Sequence, residues 1–104
     1  MYIVTRRYEG VSSQFAGEGV RQLKEGMLPI LRQIKGFTCY DVLDAGSGVI
    51  VTISTFENRS GAEESTRKAA EWVKQNMASI VPQAPQVTAG EVVVHERPLA
   101  ASTR

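Results

Sequence analysis

The stretch that decides the fold runs from Phe37 to Phe56 and reads FTCYDVLDAGSGVIVTISTF. Both of its ends are rich in β-branched and aromatic residues, which favour strands. Between them, residues 44–48 (DAGSG) are types that tolerate the backbone angles of tight turns. The sequence therefore predicts an antiparallel hairpin, with one strand at Phe37–Leu43 and the next at Val49–Phe56.

The segment before the hairpin has the pattern of an irregular helix. Ser12 or Ser13 can cap it, and its apolar residues then recur mostly every three or four positions up to Gly36. Pro29 lies inside the pattern and cannot donate a hydrogen bond to the carbonyl of Glu25. We therefore expect a bent or two-piece helix that stops at Gly36.

The segment after the hairpin predicts a second amphipathic helix. Residues 60–63 (SGAE) match a capping box, in which a serine and a glutamate satisfy the first free N–H groups of a helix. Pro82 and Pro85 close the pattern. Its apolar positions are Ala62, Ala69, Val73, Met77 and Ile80.

A strand is predicted at each end of the chain, at Tyr2–Tyr8 and at Val87–Arg97. The element order is then β-α-β-β-α-β, the ferredoxin-like α+β plan. Right-handed connections place both helices on one face of a four-stranded antiparallel sheet. We expect one domain over residues 1–97 and a flexible tail over residues 98–104.

Composition excludes several classes of function. The chain has 104 residues and a formal net charge of +1, so it lacks the basic excess that favours nucleic acid. Its one cysteine, Cys39, lies on a predicted strand, where we expect it to be buried and inert. One cysteine and one histidine give neither a disulfide scaffold nor a metal site. No apolar run is long enough to span a membrane, and these absences together favour a cytoplasmic protein.

The predicted strands suggest a partner chain. Val49, Val51 and Ile53 point to one face of the third strand, while Ile50 and Phe56 point to the other. A sheet with one face in water should alternate apolar and polar residues, and this one does not. We therefore expect a homodimer through the sheet face that the helices leave open. The alternative is a monomer with a few exposed valines.

Several stretches give the chain a family resemblance. These are residues 28–31 (LPIL) leading into Gly36-Phe37, residues 54–57 (STFE), residues 70–73 (AEWV) and residues 92–95 (VVVH). With the element order, they make the chain similar to the antibiotic biosynthesis monooxygenase-like families of the dimeric α+β barrel superfamily. The resemblance covers nearly the whole chain, and it carries fold more strongly than chemistry.

The resemblance implies two kinds of activity. Some members of the superfamily are cofactor-independent oxygenases that act on aromatic polyketides or quinols, and others degrade haem. The haem-degrading members carry an Asn on the first strand, a Trp on the second helix and a His further along that helix. Here Trp72 fits, but residues 5–7 (TRR) contain no Asn and residues 76–83 contain no His. The resemblance therefore implies no bound cofactor and disfavours haem.

The candidate ligand-binding residues are Trp72, Asn76, Tyr8 and Tyr40. Trp72 could stack on a planar ligand in a cleft between helices and sheet, and Asn76 could donate a hydrogen bond beside it. The two tyrosines could orient a ligand hydroxyl or enolate. Each residue also has a purely structural interpretation, since most tryptophans and strand tyrosines pack.

The candidate catalytic residues are His95 and Arg7. His95 could act as a general acid or base, although a lone histidine near a strand end is commonly solvated. Arg6 and Arg7 point to opposite sheet faces, and the sequence does not decide which faces the helices. The inward guanidinium could hold a carboxylate or phenolate, or it could form an ion pair with a glutamate.

These observations leave three hypotheses for function. The first is a small dimeric oxygenase or isomerase that acts, without a bound cofactor, on an aromatic or quinone-like molecule between helices and sheet. The second is a non-catalytic module that binds a metabolite in the same pocket, and the third is an interaction protein without a pocket. Convergence of polar groups on one point would favour the enzyme.

Overall fold

The computed structural model describes residues 1–98, in which one antiparallel sheet is covered on one face by helices. The order across the sheet is β2-β3-β1-β4, and every neighbouring pair is antiparallel. This confirms the ferredoxin-like α+β prediction. The strands are β1 (Tyr2–Tyr8), β2 (Phe37–Gly46), β3 (Val49–Phe56) and β4 (Gln86–Glu91).

The central hairpin is longer than the sequence predicted. Strand β2 continues through Asp44 and Ala45 to Gly46, so the turn itself is only two residues, Ser47 and Gly48. Gly46, Ser47 and Gly48 have φ angles of 86°, 56° and 77°. Positive φ costs little at glycine, which explains how so short a loop reverses the chain.

The first helical region is built in pieces, as Pro29 predicted. A 3₁₀ turn (Ser13–Ala16) precedes α1 (Glu18–Gln22), a π-helical segment (Leu23–Met27) and α2 (Leu28–Arg32). The N–H of Leu28 donates to the carbonyl of Leu23, five residues back, which defines the wider π turn. The region ends at Arg32, before the predicted stop at Gly36.

The second helix, α3 (Arg59–Asn76), is regular and begins at a different cap from the one predicted. The side-chain oxygen of Asn58 accepts from the Gly61 N–H at 3.1 Å and from the Ser60 hydroxyl at 2.7 Å. The capping-box prediction at residues 60–63 was therefore wrong, because Ser60 already lies inside the helix and Asn58 has the extended backbone of an N-cap.

Strand β4 is shorter than predicted. It ends at Glu91 rather than Arg97. Glu91 pairs with Tyr2, the first residue of β1, so β1 has no further residue to pair with the chain beyond Glu91. After Val92 donates to the Met1 carbonyl at 2.9 Å, the chain leaves the sheet, and Val93 is 89% exposed. The predicted tail over residues 98–104 lies, apart from Pro98, outside the described residues.

The two faces of the sheet differ sharply in burial. The inner face, which meets the helices, carries buried residues in both central strands. The outer face is mostly half-buried on β1 and β3 and exposed on β2 and β4. Cys39 of β2 is exposed there, which corrects the expectation that it is buried. The inner-face residues of the central strands are Val4, Arg6, Tyr8, Ile50, Thr52, Ser54 and Phe56.

Over the described part of the chain, every helix is too short or too polar to cross a membrane.

Candidate functional site

A small cavity, here called the inner chamber, lies between the inner face and the helices. Its space is about 20 Å³, slightly more than one water molecule requires. Four polar side chains line it: Arg6, Tyr8, Tyr40 and Thr52. The remaining lining is apolar and comes from Phe15, Leu23, Met27, Leu31, Ile50, Ala69, Val73, Met77 and Val81.

A larger cleft, the front groove, adjoins the chamber between the first helical region and β2. Its volume is about 480 Å³, within the range of small-molecule sites. Phe15, Leu23 and Tyr40 line both spaces, so these side chains form the partition between them. The other lining residues of the front groove are Ala16, Val20, Lys24, Leu28, Val42 and Asp44.

A second cleft, the back groove, adjoins the chamber beside the C-terminal half of α3. Its volume is about 310 Å³, and it shares Tyr8, Val73 and Val81 with the chamber. Tyr40 and Tyr8 therefore border the chamber on opposite sides, one toward each groove. The polar groups of the chamber converge on one small space that shares lining residues with a groove on either side.

Arg6 is the centre of this polar group. Arg6 is only 3% exposed, and its guanidinium donates hydrogen bonds to three hydroxyls. Nη1 lies 3.3 Å from Ser54 Oγ, and Nη2 lies 3.2 Å from both Ser65 Oγ and Thr66 Oγ1. No carboxylate of residues 1–98 lies within ion-pair distance of it. A buried cation held only by neutral hydroxyls is costly unless an anion compensates it.

Burial shifts the proton affinities of the chamber side chains. It lowers the pKa of Arg6, although the nearby Tyr8 and Tyr40 hydroxyls oppose that shift. Burial raises the pKa of Tyr8, again against Arg6. Burial and the proximity of Tyr8 raise the pKa of Tyr40 to about 12, while Arg6 and the Thr52 hydroxyl counter the rise. At neutral pH the chamber thus presents one cation and two neutral phenols.

The structure decides between the two neighbouring arginines. Arg6 faces the helices, while Arg7 faces outward and its side chain is 49% exposed. Arg7 Nε lies 3.0 Å from Glu9 Oε2, so the glutamate ion pair considered for the inward arginine belongs to the outward one. Arg7 was therefore the wrong choice of arginine for the pocket, because strand alternation fixes opposite faces without saying which face the helices cover.

Trp72 lies away from the chamber and the front groove. Its indole ring packs on Gly26 in the π-helical segment, where an added Cβ would come within 2.9 Å of the indole nitrogen. Asn76 is exposed, and its Nδ2 donates to the Trp72 carbonyl at 2.9 Å. The tryptophan therefore joins α3 to the first helical region, and Asn76 is hydrogen-bonded to its backbone carbonyl.

His95 lies beyond the end of β4 and is exposed. Of the six candidates named from the sequence, the structure brings Tyr8 and Tyr40 together in the chamber. It leaves Arg7, Trp72, Asn76 and His95 outside it.

Sequence reasoning missed the hydroxyls that hold Arg6. Thr52 and Ser54 interrupt the apolar inner face between Ile50 and Phe56, which is a usable signal. Small hydroxyl residues on an otherwise buried face indicate a polar partner, since buried polar groups are normally hydrogen-bonded. Ser65 and Thr66 were harder to recognise as partners of Arg6, because serine and threonine on a helix are commonly expected to face solvent.

The chain has no match among protein-family models or curated protein sequences. Solved structures match it over most of its length. One is a monooxygenase from the gene ActVA-Orf6 of Streptomyces coelicolor, in complex with Nanaomycin D, with a TM-score of 0.72. It is 13% identical, over 93% of this chain and 91% of that one.

Two further structures share this likeness. An antibiotic biosynthesis monooxygenase has a TM-score of 0.65 and 16% identity, over 90% of this chain and 100% of that one. The chain has the fold of the antibiotic biosynthesis monooxygenases. A substituted form of MhuD, with two manganese protoporphyrin IX molecules bound per active site, has a TM-score of 0.67 and 13% identity. That match covers 94% of this chain and 100% of MhuD. The fold implied by the sequence resemblance is thus confirmed.

Proposed function

We propose that this protein binds a small aromatic or quinone-like molecule in the front groove, with an acidic oxygen of the ligand directed at Arg6. The observation that carries the proposal is the buried guanidinium, which has no carboxylate partner among residues 1–98. A phenolate or enolate oxygen would supply the missing negative charge. The apolar walls of the groove suit the rest of a planar ligand.

The size of the two spaces requires a local movement on binding. The chamber of about 20 Å³ is too small for a ring, so only the partition of Phe15, Leu23 and Tyr40 separates a ligand in the groove from Arg6. Leu23 belongs to the π-helical segment, a type of turn that is frequent at functional sites. Rotation of these side chains would join the two spaces.

The activity that this arrangement supports is cofactor-independent monooxygenation. Arg6 would stabilise the anion of an anthrone-like substrate, while Tyr8 and Tyr40 could donate to its oxygens. Such an anion is electron-rich and reacts with O₂ so that a ring CH₂ and O₂ give a ring C=O and water. The substrate supplies all the electrons, and no added reductant enters the balance.

The lining residues do not fit the haem-degrading pattern. Neither the chamber nor the front groove is lined by a histidine, and the single histidine, His95, lies beyond β4. A histidine is what the resemblance to haem-degrading members would require. A substituted form of MhuD binds manganese protoporphyrin IX on a similar fold.

The test uses 4-nitrophenol, whose absorbance reports its own ionisation. A buried cation near the bound phenol should lower the pKa of that phenol by about 1–3 units. Arg6→Gln should abolish that shift and weaken nitrophenolate binding about tenfold or more. Arg7→Gln is the matched control, because it removes the same charge from the neighbouring outward position. Circular dichroism checks that both variants fold.

Two outcomes would decide against the proposal or narrow it. Equal shifts in the Arg6→Gln and Arg7→Gln proteins would reject Arg6 as the anion partner. If nitrophenol and a panel of quinols and anthrones bind but no oxygen is consumed, the protein is a binding module and not an oxygenase. If the Arg6→Gln protein fails to fold, the Arg6→Lys protein, which keeps a cation at this position, is measured in its place.

We further propose that two copies pair through the outer face. Ile3, Val51 and Ile53 line its centre, and Leu43 beside them is 50% exposed. Ile53→Lys should convert a particle of twice 11.4 kDa to one of 11.4 kDa in light scattering. Lys24→Gln, a change in the front groove, should leave the particle mass unchanged. A wild-type protein of protomer mass at micromolar concentration would reject the dimer.

The cytoplasmic location stays a prediction of the sequence.

A further inference from the structure

We propose that the inner chamber binds one small monovalent anion, of the halide class, on the Arg6 guanidinium. The anion would occupy the chamber whenever no acidic ligand reaches it, and the two would compete. This inference shares Arg6 with the proposed function but does not depend on aromatic binding.

The first support is the number of hydrogen-bond donors. A guanidinium has five N–H groups, and three hydrogen bonds reach Ser54, Ser65 and Thr66. Two N–H groups therefore remain without a protein acceptor among the described residues, on a side chain that lines the chamber. Ser65 and Thr66 also donate to the Ala62 carbonyl, which fixes both hydroxyls as acceptors for Arg6.

The second support is the sign of the surroundings. Among the residues that the structure describes, no aspartate or glutamate lines the chamber, and its other polar groups are the hydroxyls of Tyr8, Tyr40 and Thr52. Hydroxyls can donate to an anion as well as accept. Burial raises the pKa of both tyrosines, so each keeps its proton at neutral pH. Because Thr52 and Tyr40 are hydrogen-bonded to each other, an anion would meet one cation and up to two hydroxyl donors there, whereas a metal cation would be repelled.

The third support is size. A space of about 20 Å³ accepts a single halide but not a tetrahedral oxyanion with five heavy atoms. Burial adds to this selectivity, because a doubly charged, strongly hydrated ion loses more on leaving water. Chloride should therefore bind and sulfate should not.

The experiment measures the chlorine NMR line width of sodium chloride in the presence of the protein. We expect excess broadening with the wild type and Arg7→Gln, and about a tenfold smaller excess with Arg6→Gln. On the wild type alone, added sodium bromide should narrow the line, while sodium sulfate at matched ionic strength should not. Thr52→Val, which keeps the arginine, should reduce the broadening less than Arg6→Gln.

Equal broadening by the wild-type and Arg6→Gln proteins, or equal narrowing by sulfate and bromide, would overturn the inference. The nitrophenol assay separates it from the proposed function. Nitrophenolate binding without chloride broadening would reject the anion site and leave the aromatic site standing. Chloride broadening without nitrophenolate binding would do the reverse. If both sites exist, chloride should weaken nitrophenolate binding more than sulfate does.

Discussion

The inner and outer faces of the sheet are made by alternate residues of the same strands, yet the inner chamber is lined by the inner face. Arg6 and Arg7 are adjacent, and one is 3% exposed while the side chain of the other is half exposed. The outward arginine is matched by Glu9 on the surface, whereas the inward one finds only hydroxyls.

The difference between the faces arises because helices cover only the inner one. Helices exclude water from the inner face but do not fill it, because the first helical region is irregular and leaves the chamber beneath Leu23 and Met27. Electrostatic interactions are strongest where water is excluded, so the same arginine side chain has different chemistry on the two faces. The helices that cover the sheet, more than the strand sequence, create the inner chamber.

The largest effect should come from two identical leucine substitutions on opposite sides of the sheet. Leu31→Ala removes a side chain that is 1% exposed above the inner face and should cost about 2–5 kcal/mol of unfolding free energy. Measured in the Ile53→Lys background, where the outer face is expected to be unpaired, Leu43→Ala at 50% exposure should cost under about 1 kcal/mol. Urea unfolding measures both. Similar costs would mean that the outer face is as well covered as the inner one.

A somewhat smaller effect should appear in the pH dependence of stability. The pKa of Tyr40 is raised from 10.0 to about 12, so folding favours its neutral form. That stability is fully present below pH 10 and is lost as pH rises toward 12, by roughly 2–3 kcal/mol. Tyr40→Phe should flatten this part of the pH profile in urea titrations. An unchanged profile would contradict burial of the phenol on the inner face.

The smallest effect tests how the covering layer is held. Gly26→Ala would place a Cβ against the Trp72 ring and should cost about 1–3 kcal/mol, with a change in tryptophan emission. Gly17→Ala, where nothing lies within 4 Å of the new Cβ, should stay within about 0.5 kcal/mol. Equal stability of the two variants would show that Trp72 does not pin the first helical region.

The fold was predictable because its signals are local. The turn at Ser47-Gly48 and the apolar runs beside it define the hairpin, and Pro29 marks the irregular helix. The residue at which β4 ends could not be predicted from the local sequence. Val92 to Val94 have strand-forming side chains, but a strand needs a neighbour, and the length of β1 decides where that neighbour ends.

The site was predictable only in part. Tyr8 and Tyr40 were named as ligand-binding candidates, and the structure places both at the inner chamber. The choice between Arg6 and Arg7 needed the position of the helices. Trp72 was named as a residue that could stack on a planar ligand, whereas the structure shows its ring packed on Gly26. The same types of residue serve for packing and for ligand binding, and only their neighbours in three dimensions distinguish the two roles.

The π-helical segment also affects how this sequence should be aligned. Phe15, Gly19, Leu23, Met27 and Leu31 are all buried at a constant spacing of four, wider than the 3.6 residues of an α-helical turn. The π turn at Leu23–Met27 takes up the excess by holding one more residue in its hydrogen-bonded ring. A relative with a plain α-helix here would be one residue shorter. An alignment that forbids gaps inside helices would then misplace one side of this segment and lower the apparent identity between proteins of the same fold.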